Sequence, residues 1–211
     1  MLSQLRVIIF SWEFPPRIVG ELSYHVNRLA VELVKKGLDV YVVTYNSSWT
    51  GFHEGADGVK AYRISDPFQP HINILTWALS LNQEAERVAA DVYYSDKREV
   101  NLIDVHDWHF IPAAASLKRA LKIPFVFSID SLEDHRSHGS NAPLNLAIKT
   151  IESLGIDEAE RVIVKSDWMK HEMSQRYSAQ LEKVEVASPD SPKWIDEILA
   201  AYQKRMRVIA L

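Results

Sequence analysis

The feature that most constrains this chain is a strand–helix–strand unit within its first 44 residues. LRVIIF (Leu5–Phe10) is an apolar run carrying one charge. Such a run suits a strand buried on both faces, which requires a sheet covered on both sides. A loop with Pro15, Pro16 and Gly20 follows, then a stretch of helical periodicity from Leu22 to Lys36. Leu22, Val26, Leu29, Leu33 and Val34 recur at three- and four-residue spacing, and Gly37 supplies a stop. LDVYVVT (Leu38–Thr44) is the second strand. A helix between two such strands is the βαβ crossover, and it makes the strands parallel.

The same alternation continues. Strands are expected at Val59–Ile64, Asn101–His106, Pro124–Ile129, Arg161–Lys165 and Lys183–Ala187. Helices are expected at Ile72–Ala90, Phe110–Leu121, Leu144–Leu154, Asp167–Tyr177 and Trp194–Arg205. Tyr45–Gly58 and the polar stretch 130–143 read as long loops. The expected fold is therefore α/β: a Rossmann-like, doubly wound, mostly parallel sheet with helices on both faces. Residues 1–190 form the domain, and 191–211 supply a terminal helix and tail that pack on it. Ligands of such sheets bind beyond the C-terminal strand ends. That rule singles out Ser11–Gly20, Tyr45–Gly58, His106–His109, Asp130–His138 and Ser166–Trp168.

Composition narrows the classes. With 24 basic and 28 acidic residues, net −4, the chain lacks the basic excess of a nucleic-acid binder. It has no cysteine, so no disulfide framework and no thiolate site. That fits a reducing compartment, and a cytoplasmic location is expected. No apolar run reaches the roughly 18 residues of a membrane span, and Leu5–Phe10 is too short for a secretory signal. No G-x-G-x-x-G follows the first strand, which weakens a dinucleotide reading.

Three stretches carry a family resemblance. EFPPRIVGELSYHVNRLAVELVKKGLDVYVVT, LIDVHDWHFIPAAASLKRALKIPFVFSID and AERVIVKSDWMK occur in order. Together they resemble the N-terminal half of retaining glycosyltransferases of the GT-B fold, in the glycogen/starch synthase-like and family 4 group. The resemblance covers about Leu5 to Pro189. It implies one lobe of a two-lobe enzyme, the lobe that mainly holds the acceptor glucan. The other lobe would hold most of the nucleotide-sugar donor. The parent chemistry is glucosyl transfer from a nucleotide sugar to an α-glucan, with retention. The chain is then one lobe of a longer enzyme or a half-sized relative, expected to be inactive alone. No cofactor is implied, and donor binding is expected only with a second lobe.

The resemblance also marks residues. Pro16, Gly20 and Glu21 lie in the donor loop, where free backbone N–H groups at a helix start suit a diphosphate. The family has two successive glycines there; Glu21 replaces the second, and it also reads as a favourable first-turn acid. His106, Asp107 and Trp108 border the acceptor cleft: carboxylate and imidazole bond sugar hydroxyls, and an indole stacks on a ring. Trp108 also reads as a core residue under the following helix. His106 and His109 lack a third ligand fixed by motif, so no metal is expected. Asp130 stands where the family has a His beside the reaction centre; a carboxylate there accepts hydroxyl bonds but disfavours nearby phosphates. It also reads as a turn cap. Glu133 begins the cluster Glu133, Asp134, His135, Arg136 and His138, either a cleft wall or a solvated loop. Ser166 reads as an N-cap. Trp12, Phe14, Trp49 and Phe52 are expected at an exposed rim, and Tyr41, Trp77, Tyr93, Tyr94 and Tyr177 as packing residues. Two further classes stay open: a carbohydrate-binding module without catalysis, and a structural or engineered scaffold. The exposed cleft face also offers a surface through which two copies could pair.

Overall fold

The computed structural model describes residues 5–55, 57–66, 69–95, 100–177 and 179–206, the side chains of 205 and 206 excepted. Strands β1 (Arg6–Ser11), β2 (Asp39–Tyr45), β3 (Gly51–Glu54), β4 (Lys60–Ile64), β5 (Leu102–His106), β6 (Phe125–Ile129), β7 (Arg161–Val164) and β8 (Val184–Val186) form one sheet. Its order is β3-β4-β2-β1-β5-β6-β7-β8. Every neighbouring pair is parallel except β3 with β4. The chain winds outward from β1 in both directions, so the order reverses between β1 and β5. That crevice is the switch point where such sheets hold ligands.

Alternation along the strands builds two apolar layers. Ile8, Phe10, Val43, Ile103, Val105 and Phe127 face one side. There they meet α2 (Ile74–Ser95), α3 (Ile111–Leu121), α5 (Pro143–Glu158) and α6 (Asp167–Tyr177). Val7, Ile9, Val40, Val42 and Val126 face the other. There they meet α1 (Glu21–Lys35) and α7 (Trp194–Met206). Helix α7 is part of this core: Trp194, Ile198, Leu199 and Tyr202 are buried. Arg28 of α1 lies 4.8 Å above the Trp194 ring, and its Nη1 donates to Pro189 O at 2.9 Å. Among the described residues no helix is long and apolar enough to cross a membrane.

The structure departs from the sequence reading in several places. The expected loop 45–58 contains β3, an antiparallel edge strand; all four of its residues are exposed, so burial left no pattern to read. The expected loop 130–143 contains the short helix α4 (Glu133–Arg136). Helix α2 runs on to Ser95 because Val92 extends its buried face. Tyr94, expected to pack, is exposed, and Phe14, expected on a rim, is buried.

Gly155 lets α5 approach Ile111 of α3 and Phe127 of β6 closely. A Cβ there would lie 2.7 Å from Ile111 Cδ1 and 2.9 Å from Phe127 Cδ1. Gly155→Ala should therefore destabilise by about 1–3 kcal/mol despite its better helix propensity, read as a lower urea midpoint. A stabilised variant would show that the α5–sheet contact is looser than this.

Candidate functional site

The site is built on the C-terminal ends of β5, β6 and β7. Asp104, in the middle of β5, is fully buried. Ser128 Oγ donates to its Oδ1 at 2.7 Å, and the Tyr202 hydroxyl of α7 donates to its Oδ2 at 2.5 Å. His106 Nε2 lies 3.4 Å from the same Oδ2, and His106 Nδ1 lies 3.5 Å from Asp130 Oδ2. Asp130 also pairs with Lys165 at the end of β7, and its Oδ1 lies 3.6 Å from His25 Nδ1 of α1. Burial alone would discharge His106, yet the two flanking carboxylates raise its pKa to about 10. Burial would likewise raise Asp130, but His106, His25 and Lys165 hold it well below the usual carboxylate range. Its charge is therefore offset by neighbouring cations. His106 itself lies under the edge, lining a small cavity of about 30 Å³ with His25, Ser128, Asp130 and Lys165.

Asp107 fastens two strand ends together. It is buried and adopts φ 57°, in the positive region that few non-glycine residues occupy. Its Oδ1 accepts the backbone N–H groups of Asp130 (3.0 Å) and Ser131 (3.2 Å). Burial and the nearby Asp130 push the Asp107 carboxyl up to about 7.

Above this floor opens a cleft of about 500 Å³. Glu13, Glu21, Asp107, Asp130, Ser131, Glu133, Arg136, Asn145 and Lys165 are its polar lining. One wall is aromatic: Trp12 stacks on His109 at 5.0 Å, and His109 stacks on Trp108 at 4.3 Å. Trp108 is thus both a packing residue against Ala78 and Ile148 and part of the cleft wall. Burial, together with Arg136 and Arg17, keeps His109 neutral, and its Nδ1 has no partner. On the other wall, Glu133 is buried rather than solvated. It accepts from Asn145 Nδ2 at 2.6 Å and Arg136 Nε at 3.1 Å. Glu152 accepts from Arg136 Nη2 at 2.8 Å, from the Glu133 N–H at 2.8 Å and from the Tyr177 hydroxyl at 2.5 Å. Ser166 caps α6 through the Met169 N–H at 3.2 Å.

The loop before α1 holds the least expected contact. Glu13, 2% exposed, accepts the N–H groups of Val19 (2.7 Å) and Gly20 (2.8 Å) through Oε2. The amides read as a phosphate cradle thus already hold an internal carboxylate. Pro16 is exposed outside the cleft lining, whereas Glu21 belongs to it. Trp49 and Phe52 lie at the sheet edge against Arg63 and Tyr62, also outside the cleft lining. Sequence reasoning missed Glu13, Asn145, Lys165 and the buried supports Asp104, Glu152 and Tyr202. Only Asp104 left a signal, a carboxylate inside an apolar strand.

Asp107→Ala should cost about 1–3 kcal/mol in chemical denaturation, because two part-buried amides lose their acceptor. Asp107→Asn, which keeps an oxygen there, should cost much less; equal losses would contradict the fastening role. For His106, the folded pKa lies above its ordinary 6.5. Its contribution to stability is therefore complete below about pH 6.5 and is lost as pH rises through about 10. The urea midpoint should fall over that window, and fall less in His106→Gln.

Comparison with known proteins places the chain in a family. The profile of Glycosyltransferase Family 4 matches residues 22–189. An uncharacterized glycosyltransferase, MJ1607 of Methanocaldococcus jannaschii, is 32% identical over 204 residues, 96% of this chain and 50% of its own length. Glycogen synthase of Mycobacterium tuberculosis is 25% identical over 205 residues, 90% of this chain and 50% of its own length. The chain thus spans about half the length of these curated relatives. Among solved structures, a chain of sucrose-phosphate synthase from Thermosynechococcus elongatus superposes with a TM-score of 0.67 at 14% identity, covering 97% of this chain and 99% of that one.

Proposed function

This chain belongs to Glycosyltransferase Family 4, and from that premise we propose that it is the acceptor-side lobe of a glycogen synthase-like enzyme, holding an α-glucan or oligosaccharide in the cleft beside Asp130. It is a GT-B glycosyltransferase lobe related to the nucleotide-sugar transferases. The observation that carries the finer reading is the composition of the cleft. An aromatic wall of Trp12, His109 and Trp108 faces polar groups that can accept or donate to hydroxyls. Sugars present both surfaces: apolar ring faces for stacking and a belt of hydroxyls for hydrogen bonds. Neutral His109 and the charge-balanced Asp130–Lys165 pair suit an uncharged ligand.

In this reading Asp130 accepts acceptor hydroxyls beside the reacting centre, His106, His25 and Lys165 keep it ionised, and Asp107 holds its backbone in place. Asn145, Glu133 and Glu21 supply further polar contacts along the cleft. The parent reaction is glucosyl transfer with retention from a nucleotide sugar, which needs closure against a second lobe to exclude water. Donor binding by this chain alone should be weak, since Glu13 occupies the Val19 and Gly20 amides. That same contact favours one alternative, a carbohydrate-binding module without catalysis.

Calorimetric titration with maltooligosaccharides should give saturable binding, weakened about tenfold, or 1.4 kcal/mol, by Asp130→Asn. ADP-glucose and UDP-glucose should bind far more weakly. A flat trace for every oligosaccharide would sink the acceptor reading. Tight nucleotide-sugar binding would contradict the blocked loop.

A further inference from the structure

Arg6, which is fully buried, and Arg136, on the cleft wall, are both paired with acids. Arg6 meets Asp39 at 3.0 Å, and Arg136 meets Glu133 and Glu152 at 3.1 and 2.8 Å. Arg63 of β4 breaks the pattern. It is 5% exposed, and its Nη2 donates to Pro15 O at 2.7 Å. Its Nε and Nη1 are buried without a partner, and among the described residues it forms no ion pair. A cation taken out of water with two donors unmade is costly unless something else satisfies it.

A second orphan lies beside it. Thr44 of β2 is the register partner of Arg63 on the adjacent parallel strand, so both side chains leave the same face of the sheet. Thr44 is fully buried, and its Oγ1 also lacks a partner. Both residues lie at the C-terminal strand ends, the edge where α/β sheets hold ligands. Above them, Trp49 sits 4.3 Å over the guanidinium, from a turn set by Asn46 Oδ1 accepting the Ser48 N–H at 2.9 Å. A cation–π contact recovers a fraction of the desolvation but satisfies no N–H. Trp49 is 42% exposed, and among the described residues its indole makes no hydrogen bond, so it can swing aside without breaking one. Arg17, on the same loop as Pro15, lies over the Trp12 and Tyr45 rings and also has no ion pair among the described residues.

We propose that Arg63 Nε and Nη1 and Thr44 Oγ1 form an oxyanion site beneath Trp49, which takes a phosphate group, either free or carried on a sugar. The site is separate from the cleft beside Asp130 and does not rest on the glucan reading, because a neutral glucan has no charge to offer Arg63.

The test is thermal unfolding of the 211-residue chain at constant ionic strength with inorganic phosphate, glucose 6-phosphate or glucose. Phosphate at a hundredfold excess over Kd should raise the wild-type midpoint by roughly 5–10 °C. Glucose should do nothing. Arg63→Met should match or exceed the wild type without phosphate, since it removes an uncompensated buried charge, and should lose the specific phosphate response. Thr44→Val, nearly isosteric, should keep the fold and weaken that response. A larger response to glucose 6-phosphate than to phosphate assigns the group to a sugar; equal responses assign it to the free ion. Phosphate shifts of equal size in wild type and Arg63→Met would overturn the proposal. So would a wild type indifferent to phosphate; an Arg63→Met variant of lower midpoint would then make Arg63 a structural residue.

Discussion

The cleft depends on one buried arrangement: an imidazole held between two carboxylates, Asp104 behind it and Asp130 in front. Each of these groups would be expensive to bury alone. Together they balance, because His106 carries the positive charge that both acids require, and Lys165 supplies a second at the mouth. The Asp104 end is closed by Ser128 and by the Tyr202 hydroxyl. Helix α7 is thereby tied to the site by a hydrogen bond as well as by its apolar face. Removing one member leaves a neighbour uncompensated, so the strand ends, the terminal helix and the cleft floor stand or fall together.

From this floor the cleft acquires its electrostatic character. Acids outnumber bases in its lining, yet most of them already have partners. Asp130 is matched by Lys165, Glu133 by Arg136 and Asn145, and Glu13 by two backbone amides. What remains for a ligand is hydrogen-bonding capacity and aromatic surface, with little free charge. Glu13 fills the helix-start amides that would otherwise draw an anion. The demand for negative charge lies elsewhere, at Arg63 near the β3–β4 edge of the sheet.

The fold was legible because its strongest signals are local. LRVIIF and LDVYVVT are apolar enough to force a two-sided sheet, and the periodicity between them fixes α1. Gly51–Glu54 was not legible, because an exposed edge strand has no apolar face to pattern. The site was legible at Asp107 and Asp130, polar residues ending apolar strands. Glu13 was hidden: its role depends on a loop that doubles back to place two amides on its carboxylate, and no periodicity encodes that. Tyr202 was hidden for a related reason. It lies far along the chain from Asp104, and only the packing of α7 onto the sheet brings the hydroxyl to the carboxylate.

The most direct test of the cleft as a saccharide site is to follow the tryptophan indole N–H signals by NMR as a maltooligosaccharide is added. Trp12 and Trp108 line the cleft, whereas Trp49 and Trp194 do not. The account predicts saturable shifts for Trp12 and Trp108, with Trp49 and Trp194 unmoved. Shifts confined to Trp49 or to the exposed Trp168, with Trp12 and Trp108 silent, would contradict it.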